Sequence, residues 1–154
     1  MTAYKDKTWD ERVATLGDEA ELRFTSWATK NNLGYDRYGL DRPPLRMYEL
    51  PARLRYTPDF LMSRQFVEVQ GLGRDQVFKL KMDKHGALHY WCDLHPVYLF
   101  VWDSHHQREC FIHLHDLDHV IGQYADMKQF HEGKPYFAVP ADAVFLAGKD
   151  KPER

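Results

Sequence analysis

The sequence predicts a mixed α/β domain, a central sheet with helices on both faces. Three observations carry this reading. Apolar residues recur every three or four positions within 9–31. Two short apolar stretches, 60–62 and 66–70, flank a turn at Ser63-Arg64. Residues 97–101 form an almost unbroken apolar run.

The first helix lies within 9–31, and two starts fit. Thr8 with Glu11 makes one capping box, and Asp18 with Glu21 makes a second signal after Gly17. Trp9, Val13, Leu16, Ala20, Phe24 and Trp27 share one face, and Gly34 is a natural terminator. Residues 35–57 are rich in Arg, Tyr and Pro, and Pro43-Pro44 and Pro51 divide them into loop and short strand. Arg53-Leu54-Arg55-Tyr56 alternates as a strand does. The stretches 60–62 and 66–70 read as a β-hairpin joined by three residues, ending at Gly71-Leu72-Gly73.

Asp75 is placed to cap a second helix over about 76–93, with Val77, Leu80, Ala87, Leu88, Trp91 and Cys92 on a single arc and Pro96 as its stop. The run 97–101 has the composition of a central strand buried on both faces. A turn over 103–108 leads to a strand at 110–114. Asp116 then caps a third helix with Leu117, Val120, Ile121 and Tyr124 on its apolar face. Short apolar pieces follow at 136–139 and 143–146. The expected organisation is one domain over 1–148 with a flexible tail over 149–154.

Composition narrows the function classes. The chain has 154 residues and 18.3 kDa, of which 44% are apolar and 29% charged, the mix of a globular domain. No apolar run approaches the roughly 20 residues of a membrane helix. Residues 1–7 lack the apolar region of a signal peptide, which predicts a cytoplasmic location. Two cysteines, Cys92 and Cys110, are too few for a disulfide framework. A net charge of −2 argues against a protein that coats nucleic acid indiscriminately. The average conceals a bias, because residues 37–84 carry ten Lys or Arg and six Asp or Glu, a net of +4. Such a field suits a phosphate backbone passing the middle third.

Tyr56-Thr57-Pro58-Asp59-Phe60 and Val67-Glu68-Val69-Gln70-Gly71 hold the chemistry. Asp59 opens one hairpin strand and Glu68 lies late in the other, so antiparallel pairing sets them side by side. Glu68 and Gln70, two apart, share a face, while Val67 and Val69 point the other way into the core. Paired carboxylates with few other ligands suit Mg²⁺, which takes hard oxygen donors and keeps its waters. Seven arginines, Arg37, Arg42, Arg46, Arg53, Arg55, Arg64 and Arg74, are interleaved with Tyr35, Tyr38, Tyr48 and Tyr56 around this segment. Arg and aromatics together suit phosphate contact and base stacking; Arg37, Arg42, Arg53, Arg55 and Arg74 are the candidate DNA contacts. Cys110, His113, His115 and His119, with His105 and His106 nearby, are zinc-ligand types but lack the paired short spacings of structural zinc modules. Surface or hydrogen-bonded histidines are the expectation there.

Pro58-Asp59, Glu68-x-Gln70 and the element order around them resemble the PD-(D/E)XK nuclease superfamily, and within it the small phage Holliday-junction-resolvase-like and very-short-patch-repair-like endonucleases. The resemblance covers about residues 18–115. It implies a restriction-endonuclease-like core of order α-β-β-β-α-β and a metal-dependent endodeoxyribonuclease acting on branched or structured DNA, often as a homodimer, without a membrane. It implies that Asp59 and Glu68 bind Mg²⁺ or Mn²⁺ and that a first-helix Glu joins them. Glu21, about 90° from the centre of the apolar face, is that Glu. The resemblance also implies a catalytic Lys two residues after Glu68, where this chain has Gln70. Two accounts follow. Either the charge has moved to the next helix, with Lys81 ahead of Lys84 and Lys79, or the site binds DNA without cutting it. A sequence- or mismatch-specific nicking enzyme differs in substrate but not in chemistry. Phage origin, with a location in the host cytoplasm, is implied by resemblance alone.

Overall fold

The computed structural model describes residues 9–40 and 49–152, with side chains from Leu16 onward. Thr8, Arg42, Pro43-Pro44, Arg46 and Tyr48 lie outside the described residues, as do the side chains of Trp9, Glu11 and Val13. In chain order the elements are α1 (Trp9–Lys30), β1 (Tyr35–Arg37), α2 (Ala52–Arg55), β2 (Phe60–Met62), β3 (Gln65–Gly71), β4 (Val77–Lys81), α3 (Met82–Cys92), β5 (Val97–Asp103), β6 (Arg108–His113), α4 (Leu114–Tyr124), β7 (Asp126–Gln129), β8 (Pro135–Pro140) and α5 (Ala141–Ala147). A five-stranded mixed sheet runs β1-β2-β3-β5-β6, parallel only between β3 and β5. A second, antiparallel sheet runs β4-β8-β7. No helix among the described residues is long and apolar enough to cross a membrane.

The run at 97–101 lies in β5, an interior strand between β3 and β6 that is buried along its whole length. Its side chains divide by the two-residue period. Tyr98, Phe100 and Trp102 pack with Val67, Val69 and the α1 residues Ala20 and Phe24. Val97, Leu99 and Val101 face the other way, onto Leu88 and Trp91 of α3, Leu117 of α4, Val144 of α5 and Phe78 and Leu80 of β4. Phe24 is the hub of the α1 side, with the rings of Trp27, Tyr35, Phe60, Phe100 and Phe111 at 4.8–6.4 Å. Such offset and edge-on contacts add to simple burial.

Several local expectations change. α1 runs unbroken from Trp9 and stops at Asn32 rather than Gly34. Asn32 has φ +58°, its N–H reaches Thr29 O at 3.1 Å and Leu33 N–H reaches Ala28 O at 2.9 Å. This is a Schellman stop with Asn in the left-handed position. Residues 52–55 form a helical turn, α2, after Pro51, not a strand. Two residues, Ser63-Arg64, join the hairpin, with Met62 opposite Gln65. The helix expected over 76–93 is strand β4 followed by helix α3. Phe78 and Leu80 are buried while Val77, Lys79 and Lys81 are only partly so, an alternation fixed by pairing with β8. His113 caps α4, its side chain accepting from His115 N–H at 3.1 Å, in place of Asp116. Lys149, at the head of the expected tail, bridges the β6 residue Phe111 through two backbone hydrogen bonds of 2.7 Å.

Candidate active site

The hairpin register assembles the carboxylates. Phe60 pairs with Val67, so the next step outward sets Asp59 opposite Glu68. Asp59 is held from several sides. Its Oδ2 accepts Val69 N–H at 2.8 Å, and its carbonyl accepts Tyr38 N–H at 2.8 Å and Gly39 N–H at 3.1 Å. Gly39 crosses so close that a Cβ there would lie 2.8 Å from Pro58 O and 3.2 Å from Asp59 Cα. Only glycine fits that crossing without moving the Asp59 backbone.

Glu68 is buried, with 4% of its surface exposed, on the sheet face that α3 covers. Its Oε1 pairs with Lys84 Nζ. Lys84 sits in the first turn of α3, one and two turns before the buried Leu88 and Trp91, so it shares their inward face. Burial pushes the Glu68 carboxyl up to about 8, and the neighbouring Asp59 charge adds to the rise against the pull of Lys84. Burial likewise raises Asp59, opposed by Lys84 and by the Val69 N–H. Burial alone would lower the Lys84 ammonium, but the Glu68 and Asp59 charges together hold it above its ordinary value. The three groups form a desolvated cluster whose charges depend on one another.

Glu21 reaches the site through Arg37. Arg37 pairs with Glu21 through both guanidinium nitrogens, and its Nη1 lies 3.8 Å from Asp59 Oδ1. Its Cζ also stacks 4.6 Å above the Phe60 ring. Arg37 thus faces inward, a link between two carboxylates. Gln70 Nε2 donates to the Lys79 carbonyl at 2.9 Å and ties β3 to β4. Lys81 is elsewhere, its Nζ 5.4 Å from the Phe130 ring centroid. The displacement follows from β4: Lys81 closes a strand rather than the first turns of a helix, and α3 begins one residue later. Lys79 pairs with Asp75 at 2.6 Å.

Arg53 lies over the Tyr90 ring at 5.6 Å and Arg55 over Tyr56 at 5.8 Å, with Arg55 Nη2 donating to Leu50 O at 2.8 Å. Arg74 is exposed in the loop before β4. In the histidine-rich stretch 110–119, the His113 and His115 rings lie 5.1 Å apart and His113 Nδ1 accepts from His115 N–H. Cys110 is buried beside Gly148, and burial pushes its thiol up to about 12; His119 is exposed.

Sequence reasoning missed two features. The inward spacing Lys84, Leu88, Trp91 was legible but hidden inside a helix started too early. Asp103, fully buried at the end of β5, accepts from Arg108 Nε at 2.9 Å, Gln76 Nε2 at 3.1 Å, His105 N–H at 3.1 Å, and His106 N–H and Nδ1 at 3.3 and 3.0 Å. It anchors the turn after β5 to the loop entering β4.

The mixed sheet thus carries α1 on one face, and two facing carboxylates under a buried lysine on the other. Solved structures share that fold. Hjc, a Holliday junction resolvase from the archaeal hyperthermophile Archaeoglobus fulgidus, matches with a TM-score of 0.54 and 13% identity over 86% of this chain and 89% of its own. A nuclease from a fusselovirus matches with a TM-score of 0.54 and 11% identity over 89% of this chain and 86% of its own. No family model matches the sequence, and no curated protein matches it.

Proposed function

We propose that the protein is a metal-dependent DNA endonuclease that hydrolyses phosphodiester bonds in branched or structured DNA. The observation that carries this is Asp59 and Glu68 facing each other beneath Lys84. The donor set fits a hard divalent cation. Two carboxylates converge where burial opposes their ionisation, and a cation bound there relieves that cost. Asp59 and Glu68 are the ligands of Mg²⁺ or Mn²⁺, with Glu21 assisting from behind Arg37. When bound, the metal supplies Lewis-acid stabilisation of phosphate charge and a more acidic water.

The chain's own residues do the rest. Lys84, in a site shielded from water, donates from its ammonium to the attacking water or to a non-bridging phosphate oxygen, the part the superfamily assigns to a strand lysine. Gln70 keeps a structural tie instead. Arg37 holds the Asp59 carboxylate in place and balances its charge. Arg53, Arg55 and Arg74 offer contacts to the phosphate backbone on either side. The likeness to a Holliday junction resolvase supports a branched substrate, and the two scissile strands of a junction suit a pair of subunits.

The test is incubation with Mg²⁺ or Mn²⁺ and a panel of duplex, single-stranded, flap and four-way DNA. Metal-dependent nicking that favours a branched member is expected. Junction binding with no cleavage by either metal would overturn the nuclease reading and leave a DNA-binding protein on a nuclease fold.

A further inference from the structure

Away from the carboxylate cluster, α3 and α4 bring a second set of ligand-type side chains together. His85 and His89, four residues apart, project from one face of α3. Both aim Nε2 at Asp118 on α4: His85 Nε2 lies 2.6 Å from Oδ1, and His89 Nε2 lies 3.1 Å from Oδ1 and 3.0 Å from Oδ2. One ligand atom from each residue lies within 4.8 Å of the others. His115, one turn before Asp118 on α4, adds a fourth donor at the rim, with Nδ1 3.7 Å from Asp118 Oδ2 and its ring 5.8 Å from that of His89. The Phe137 ring stands edge-on to His85 at 5.4 Å and walls the cluster on one side.

We infer that His85, His89, Asp118 and His115 form a zinc site that joins α3 to α4. Three imidazoles and one carboxylate match the preferences of Zn²⁺, and two histidines four apart on one helix present their nitrogens to a common point. Ligand atoms about 2.0–2.1 Å from a tetrahedral zinc are roughly 3.3 Å apart; the His89–Asp118 separations of 3.0 and 3.1 Å lie near this, and the 2.6 Å between His85 and Asp118 has to open to admit the ion. A small rotation of His115, which is mostly exposed, closes the shell. Lys84, next to His85, points instead to Glu68, so the two sites occupy different faces of α3. Imidazole donors also separate them by chemistry, because Mg²⁺ prefers oxygen.

Zinc titration of the chelator-treated protein by calorimetry, with millimolar Mg²⁺ present, tests this. One equivalent is expected to bind and to raise the midpoint of thermal unfolding, as any ligand of the folded state alone does. In a His85→Gln, His89→Gln double variant each Gln Nε2 can still donate to Asp118, but the imidazoles are gone. Zinc affinity should fall by at least about 100-fold there, since even residues that only support ligands are worth 10- to 100-fold. An Asp59→Asn, Glu68→Gln variant should keep it unchanged. Cobalt added to the wild-type protein should give the visible bands of a tetrahedral site, a readout that needs no variant. Absence of those bands, zinc uptake unaffected by the histidine changes, or uptake lost with Asp59 and Glu68 would each overturn the assignment.

Discussion

Two residues separate Lys81 from Lys84, and the strand-to-helix junction between them sends the two ammonium groups to different places. Lys84→Ala should lower the cleavage rate by about 100- to 1,000-fold, the scale of removing one preorganised charge donor from a shielded site, whereas Lys81→Ala should change it less than about 2-fold. Single-turnover rates on the best substrate of the DNA panel compare them. Asp59→Asn should abolish cleavage and also the Mg²⁺-induced rise in thermal unfolding midpoint, a readout that does not depend on turnover. Asp103 sets a separate expectation. Its hydrogen bonds, led by that of Arg108, overcome burial and hold the carboxyl down at about 2, against an ordinary 3.8. A depressed carboxyl contributes stability that is fully present above the unfolded value and fades as pH falls through the folded one. Asp103→Asn should therefore cost on the order of 1–2 kcal/mol at neutral pH, and the gap from wild type should narrow between about pH 4 and pH 2. Urea denaturation at several pH values measures it.

β4 is the element that most changes the reading of the site. Hydrogen exchange discriminates a strand from a helical turn: among the described residues β4 is an edge strand paired with β8 alone, so alternate amides over 77–81 should be protected, whereas a helix would protect them continuously once past its first turn. Much of the framework was legible from the chain. The β2–β3 hairpin and β5 follow from short apolar pieces, and the Asp59–Glu68 pairing follows from hairpin register. The boundary at 81–82 was not, because Val77 and Leu80 fit a helical arc as well as Phe78 and Leu80 fit an alternation. Five residues are too few for either period to win, and pairing with β8, more than 50 residues away in sequence, decides it. For the same reason Lys84 could not be ranked above Lys81. The close approach of Gly39 to Pro58 depends on a loop crossing that no local pattern encodes. Gly39→Ala should displace the Asp59 backbone and reduce Mg²⁺ affinity and cleavage together, while the distant α3–α4 packing keeps its exchange protection.

The molecule as a whole carries a net charge of −2, yet residues 37–84 carry +4, so the positive field that a phosphate backbone would meet is local rather than global. Two described arginines of that segment, Arg37 and Arg53, are of different kinds. Arg37 is engaged with Glu21 and Asp59, and its guanidinium spends its charge on carboxylates of the protein. Arg53 lies over Tyr90, which is itself exposed, on the helical turn leading to Asp59, where a phosphate can approach it. Anisotropy measurements with a labelled four-way junction across a salt series, without divalent metal so that nothing is cut, separate the two. Each phosphate neutralised contributes about 0.9 to the slope of log affinity against log salt on duplex DNA. Arg53→Ala should flatten that slope by roughly this one unit and weaken all DNA substrates to a similar degree. Arg37→Ala should leave the slope nearly unchanged, and its loss should appear in the cleavage rate, because it releases Asp59 and Glu21 rather than a phosphate. A slope that flattens equally in both variants would place Arg37 on the DNA as well, and its contact with the carboxylates would then be a resting state exchanged for phosphate on binding.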